Sequence, residues 1–74
     1  MEKEIIKLQN KFKDIKNKIQ KGDILECATE LDMSPSSVQK YVNGNVQHID
    51  RAVIIIGWFN ELFQKREAAI KAVL

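Results

Sequence analysis

A single cysteine, Cys27, excludes an internal disulfide. With a single histidine, His48, it also excludes a structural zinc site, which takes about four Cys or His ligands. The longest apolar run, Ala52 to Gly57, is far short of the roughly 20 residues that span a bilayer. The start, Met1-Glu2-Lys3-Glu4, is charged and lacks a signal-peptide pattern. A free thiol without an export signal makes the cytoplasm the expected compartment. Internal repeats and low-complexity segments are absent. No Cys–His pair, glycine-rich phosphate loop or paired carboxylates stand at catalytic spacing, so an enzyme is not expected and no cofactor is implied.

What remains is a chain of 74 residues, 45% hydrophobic and 30% charged, which fits one small globular domain. A domain of this size buries only about 60% of its unfolded surface. Without disulfide or metal, stability must come from helix packing, self-association, or both. The net charge is only +2, but it is unevenly placed. Residues 1–21 carry seven lysines and a net +4, residues 22–47 a net −3, and residues 48–74 a net +1. Basic surface therefore flanks an acidic middle.

The hydrophobic spacing predicts four helices, an all-α domain. Ile5, Leu8, Phe12, Ile15 and Ile19 alternate steps of three and four, giving a first helix over about 3–21. The same seam serves an intramolecular core or a short coiled coil. Gly22 suits the position after its end. Asp23 is placed as the N-cap of a second helix, with Glu26 completing a capping box. Its inner face is Ile24, Cys27, Ala28 and Leu31. A turn at Asp32-Met33-Ser34 follows. Ser34 caps a third helix with Pro35 at its first position. Val38, Tyr41 and Val42 face inward, Tyr41 with its hydroxyl at the surface, and Asn43-Gly44 ends the helix. Asn-Gly is also a hairpin signal, so a hairpin from Val38 to Ile49 is the competing reading. A long last helix runs over about 49–73. One stripe is Ile49, Val53, Ile56, Phe59 with Phe63, and Ile70; a second is Ile55, Trp58, Leu62 and Ala69. Two stripes serve the core alone or the core plus a dimer surface. Gly57 inside this helix suggests a kink or the close approach of another helix.

The span Asp23–Asn43 is thus two short helices joined by a three-residue turn, with the small Ala28 where they cross. That spacing suits a helix-turn-helix. The run Ala28-Thr-Glu-Leu31-Asp-Met33-Ser34-Pro35-Ser-Ser-Val38-Gln-Lys-Tyr41-Val-Asn43-Gly44 resembles the helix-turn-helix of lactose-repressor-type and phage-repressor-type regulators. The resemblance covers about 22 residues of the chain, a middle third. Asp32 stands where that family prefers Gly, at a turn position that tends to positive φ. The recognition helix carries one cation, Lys40, and no effector domain follows, so a small-molecule effector is not implied.

The resemblance implies a stand-alone regulator, a repressor of phage or mobile-element type, binding a palindromic double-stranded DNA site as a homodimer. The helix from Pro35 to Asn43 would enter the major groove. Ser36, Gln39 and Lys40 are the candidates for base edges. Ser34, Ser37 and the helix N-terminus are the candidates for phosphates. Asn43, Asn45 and Gln47 would meet backbone beside the groove. Which N-terminal lysines would help is not legible in the sequence. The alternative is a protein-interaction or adaptor module using the Glu26, Glu30 and Asp32 face with Trp58 and Phe59. Surface charge separates the two: lysines of the first helix on the side of Lys40 favour DNA.

Overall fold

The computed structural model describes residues 2–74. It is all-α, with helices α1 (Glu2–Lys18), α2 (Asp23–Glu30), α3 (Pro35–Val42) and α4 (Ile49–Val73). The competing hairpin over 38–49 does not form, because Val38, Tyr41 and Val42 are buried along one helical face. No helix among the described residues is long and apolar enough to cross a membrane.

Helix α1 packs on α3 and α4, and α2 packs on α3 and α4. Their meeting point is a core of Phe12, Ile15, Cys27, Ala28, Val38, Tyr41, Val42, Ala52, Ile55, Ile56 and Phe59. Phe12 and Phe59 are its largest wholly buried members. The seam of α1 is therefore core, with Leu8 and Ile19 half-buried at its edges. Acidic Glu2 and Glu4 open α1 and basic Lys16 and Lys18 close it, matching the helix macrodipole.

Helix α1 stops at Lys18, three residues before the expected end. Ile19 still donates to the Ile15 carbonyl at 3.0 Å, but the Gln20 N–H leaves the helical ladder for the Asp23 carboxylate at 2.8 Å. The expected capping box at Asp23 is accordingly absent. Gly22, at φ 93°, is the N-cap of α2, and Asp23 is already helical. The Asp23 side chain looks back along the chain and is buried. There it meets Arg66 of α4 in a two-pronged ion pair at 2.5 and 2.8 Å.

Both short helices end in the same way. At the end of α2, Met33 N–H donates to the Ala28 carbonyl at 2.8 Å and Asp32 N–H to Thr29 at 3.4 Å. At the end of α3, Asn45 N–H donates to Lys40 at 2.9 Å and Gly44 N–H to Tyr41 at 2.9 Å. These are paired Schellman closures, which need a left-handed residue at the first position past the cap. Gly44 supplies it at φ 100°, and Asp32 at φ 55°, the expected departure from Gly.

The inner side of α4 keeps Ile56 and Phe59 of the first expected stripe and Ile55 of the second, adds Ala52, and leaves Val53, Ala69 and Ile70 outside. Ala52, Ile55, Ile56 and Phe59 are buried, whereas Val53 and Ile70 are more than half exposed, as is Ile54. Consecutive aliphatics at 52–56 carry no phase, so packing chooses the face. Small Ala52 and bulky Phe59, two turns apart, both point inward. Gly57 lies on the outer side of an unbroken helix, and apart from its chain neighbours and the surrounding helix backbone no atom comes within 4 Å of where its Cβ would stand. No helix of this chain approaches it.

Candidate functional site

The turn between α2 and α3 holds α3 by its N-terminus. Ser34, in extended conformation, caps α3 and accepts the Ser37 N–H at 3.2 Å, with Pro35 in the first turn. The Ser34 hydroxyl donates to Ser37 Oγ at 2.8 Å, and Ser36 Oγ lies 3.4 Å away. Three hydroxyls are thus clustered over the positive end of a helix dipole. Ser34 and Ser36 are exposed and Ser37 is half-buried.

Val38, Tyr41 and Val42 anchor the opposite side of α3. The Tyr41 hydroxyl, expected at the surface, accepts the His48 N–H at 3.1 Å and ties α3 to the start of α4. Rigid seating on one side leaves the other side free. Gln39 and Asn43 lie one turn apart on that side, with Gln39 Nε2 donating to Asn43 Oδ1 at 3.1 Å. Lys40, Asn43, Asn45 and Gln47 are exposed, and Gln39 is half-buried. The seven candidates Ser34, Ser36, Ser37, Gln39, Lys40, Asn43 and Asn45 therefore lie on α3 or at its two ends.

Two grooves flank α3. Beside its N-terminus, Leu31, Asp32, Met33, Ser34, Ser37, Arg51 and Ile54 line one. Beside its C-terminus, Ile6, Gln9, Asn10, Lys13, Lys16, Val42, Asn43 and Gly44 line the other. Gln9 Nε2 donates to the Gly44 carbonyl at 2.9 Å and fixes α1 against this end. Cations thus stand at both ends: Arg51 at one, Lys13 and Lys16 at the other. Sequence reasoning missed Arg51, although its place in the first turn of α4, soon after the α3 closure, was a usable signal. Lys13 and Lys16 were unresolved among seven lysines until the phase of α1 was known.

Asp32 of the expected acidic face lies in the first of these grooves, with Arg51, whereas Glu26 and Glu30 gather elsewhere. Glu26, Glu30, Trp58, Glu61, Leu62 and Lys65 line a groove between α2 and α4. Trp58 is half-buried there, with its ring edge-on to Phe59 at 5.1 Å and its Nε1 donating to Glu30. Phe59, expected as part of this exposed surface, is wholly buried.

Three ionisable groups are perturbed, Asp23, Cys27 and Arg66, the last raised by its hydrogen bonds to Asp23, and all by structure rather than by a site. The hydrogen bonds from Arg66 hold the Asp23 carboxyl below its usual range, against its burial and with help from the Gln20 N–H. Burial, with a smaller push from Glu30, raises the Cys27 thiol to about 12. That thiol is protonated at neutral pH and unsuited to nucleophilic work. Among the described residues, no group of three or more His, Cys, Asp or Glu is placed to hold a metal ion. Comparison with protein-family models, curated proteins and solved structures gave no match.

Proposed function

We propose that the protein binds double-stranded DNA, with α2 and α3 acting as a helix-turn-helix and α3 as the reading helix. The observation that carries this is the distribution of charge around α3. Its outer side is polar, with Gln39, Lys40 and Asn43, and its two flanking grooves hold Arg51 and the pair Lys13 and Lys16. Asp32 is the one carboxylate in these two grooves; Glu26, Glu30 and Glu61 gather in a separate groove between α2 and α4. Phosphates on either side of a major groove would meet the cations and the hydroxyl cluster at Ser34, Ser36 and Ser37. Gln39 and Lys40 would then face base edges, Gln suited to adenine and Lys to guanine. A small cytoplasmic regulator acting as a homodimer on a two-fold symmetric site is the form this reading takes, with repression its direction.

The test is the salt dependence of duplex binding. Each phosphate contact contributes about −0.9 to the log–log slope. Lys13→Gln with Lys16→Gln is expected to flatten the slope by about 1.8, and Arg51→Gln by about 0.9. An unchanged slope in both variants would remove the cations from the interface.

The second reading is a protein-binding module. The acidic groove around Trp58 favours it, because three carboxylates beside an accessible indole suit a basic peptide. Failure to bind any duplex at low salt, together with binding of a Lys/Arg-rich peptide lost on Trp58→Ala, would put this reading first.

A further inference from the structure

The outer side of α4 is unpartnered over more than four turns. Asp50, Val53, Ile54, Gly57, Glu61 and Lys65 are all exposed there, opposite the core residues Ala52, Ile55, Ile56 and Phe59. Two large aliphatics, Val53 and Ile54, at 55% and 56% exposure, lie side by side about one turn before its centre. One turn on is Gly57, a poor helix former held inside a continuous helix with open space above it. Within this chain nothing uses that space. A glycine on a helix face lets a second backbone come close.

We infer that this face binds a second copy of the same chain, with the two α4 helices crossing antiparallel at Gly57. The charges select the occupant and its direction. A two-fold contact must be complementary to itself. Parallel pairing would set Asp50 on Asp50 and Lys65 on Lys65. Antiparallel pairing sets Asp50 of each copy on Lys65 of the other, giving two ion pairs. The midpoint between positions 50 and 65 falls at Gly57 and Trp58. Charge and glycine thus locate the same dyad independently. Val53 and Ile54 of each copy then pack on either side of the crossing, covering aliphatic surface that water now meets. Glu61 comes opposite Ile54, its methylenes on the aliphatic side chain and its carboxylate toward solvent.

The face adjoins the groove beside the α3 N-terminus, which Ile54 lines with Ser34, Ser37 and Arg51, but the inference does not require that DNA be bound. Sedimentation equilibrium without DNA, at low salt, tests it. A contact of two helices is small, so association is expected with a dissociation constant on the order of 10–100 µM. Ile54→Glu is expected to weaken it at least about 10-fold, by placing a carboxylate in the aliphatic part of the contact, opposite Glu61 of the other copy. Lys65→Asp is expected to weaken it about 5-fold, and adding Asp50→Lys to restore it to within about 2-fold. All three positions are exposed, and circular dichroism checks that each variant is folded. A wild type that stays monomeric at about 300 µM overturns the inference. So does a dimer indifferent to Ile54→Glu, and a charge swap that restores nothing overturns the antiparallel pairing. A monomer in this experiment leaves the DNA reading standing, because that reading is tested on duplexes.

Discussion

Asp32 has a backbone demand that its neighbours do not share. At φ 55° it is the only non-glycine residue with positive φ among those described. Asp tolerates this region better than most residues, and a β-branched side chain tolerates it worst. Asp32→Val is expected to destabilise the fold by roughly 1–2 kcal/mol, and Asp32→Gly by nothing measurable or with a small gain. Urea unfolding of both variants checks this. Equal loss in the two would mean that the Asp32 side chain, not the backbone, matters. Cys27 makes a second prediction at this scale. Wholly buried and with its pKa raised to about 12, it should react with a thiol reagent at the rate of unfolding. Fast stoichiometric labelling of the native protein at neutral pH would contradict its placement. Both residues were legible in sequence: Asp32 from its turn position, Cys27 from helical spacing.

Among the elements, what the sequence displayed clearly was local. Ser34-Pro35 marked the start of α3, Asn43-Gly44 its end, and the spacing of Phe12 and Ile15 the buried side of α1. Local chemistry carries these signals within one or two turns. What stayed hidden depended on partners far along the chain. Asp23 has the residue type of an N-cap, and only the fold brings Arg66 to it, 43 positions away. On α4 the expected stripes held Ile55, Ile56 and Phe59, but an unbroken aliphatic run fits several rotations of the helix, so Ala52 was missed and Val53 misplaced. The Asp23–Arg66 pair predicts an acid response. The folded pKa of Asp23 is lowered from 3.8, so its contribution is fully present above that value and is lost as pH falls through the folded one. Thermal melting followed from neutral pH to strong acid should show a drop below about 3.8 that Asp23→Asn lacks. The substitution should lower stability at neutral pH, where the charge pair is intact, and converge with wild type at the acid end. A parallel fall in both proteins would sink this account of the pair.

At the scale of the molecule, α3 is a short helix seated by the other three. Helix α1 braces the C-terminal end of α3 through Gln9, the start of α4 braces it through His48 and Tyr41, and α2 sets its N-terminus through the Asp32 turn. Sequence alone supplied the candidate residues on α3. It did not supply their company, because the neighbours Arg51, Lys13 and Lys16 come from helices whose phases are set by packing. The separation of Glu26, Glu30 and Glu61 from this side was likewise unreadable until α2 and α4 met. These placements make the proposal specific: binding should depend on two side chains that the fold does not need. Gln39 is half-buried and Lys40 exposed, and neither belongs to the core.

The most direct test is therefore a fluorescence-anisotropy titration against duplexes enriched from a random library, comparing wild type with the Gln39→Ala/Lys40→Ala variant. The account predicts enrichment of a defined sequence by the wild type, with salt-sensitive affinity. It predicts a loss of at least about 10-fold in the variant, whose melting temperature stays close to wild type. Absence of binding to any duplex at low salt, or wild-type binding by the variant, would contradict it.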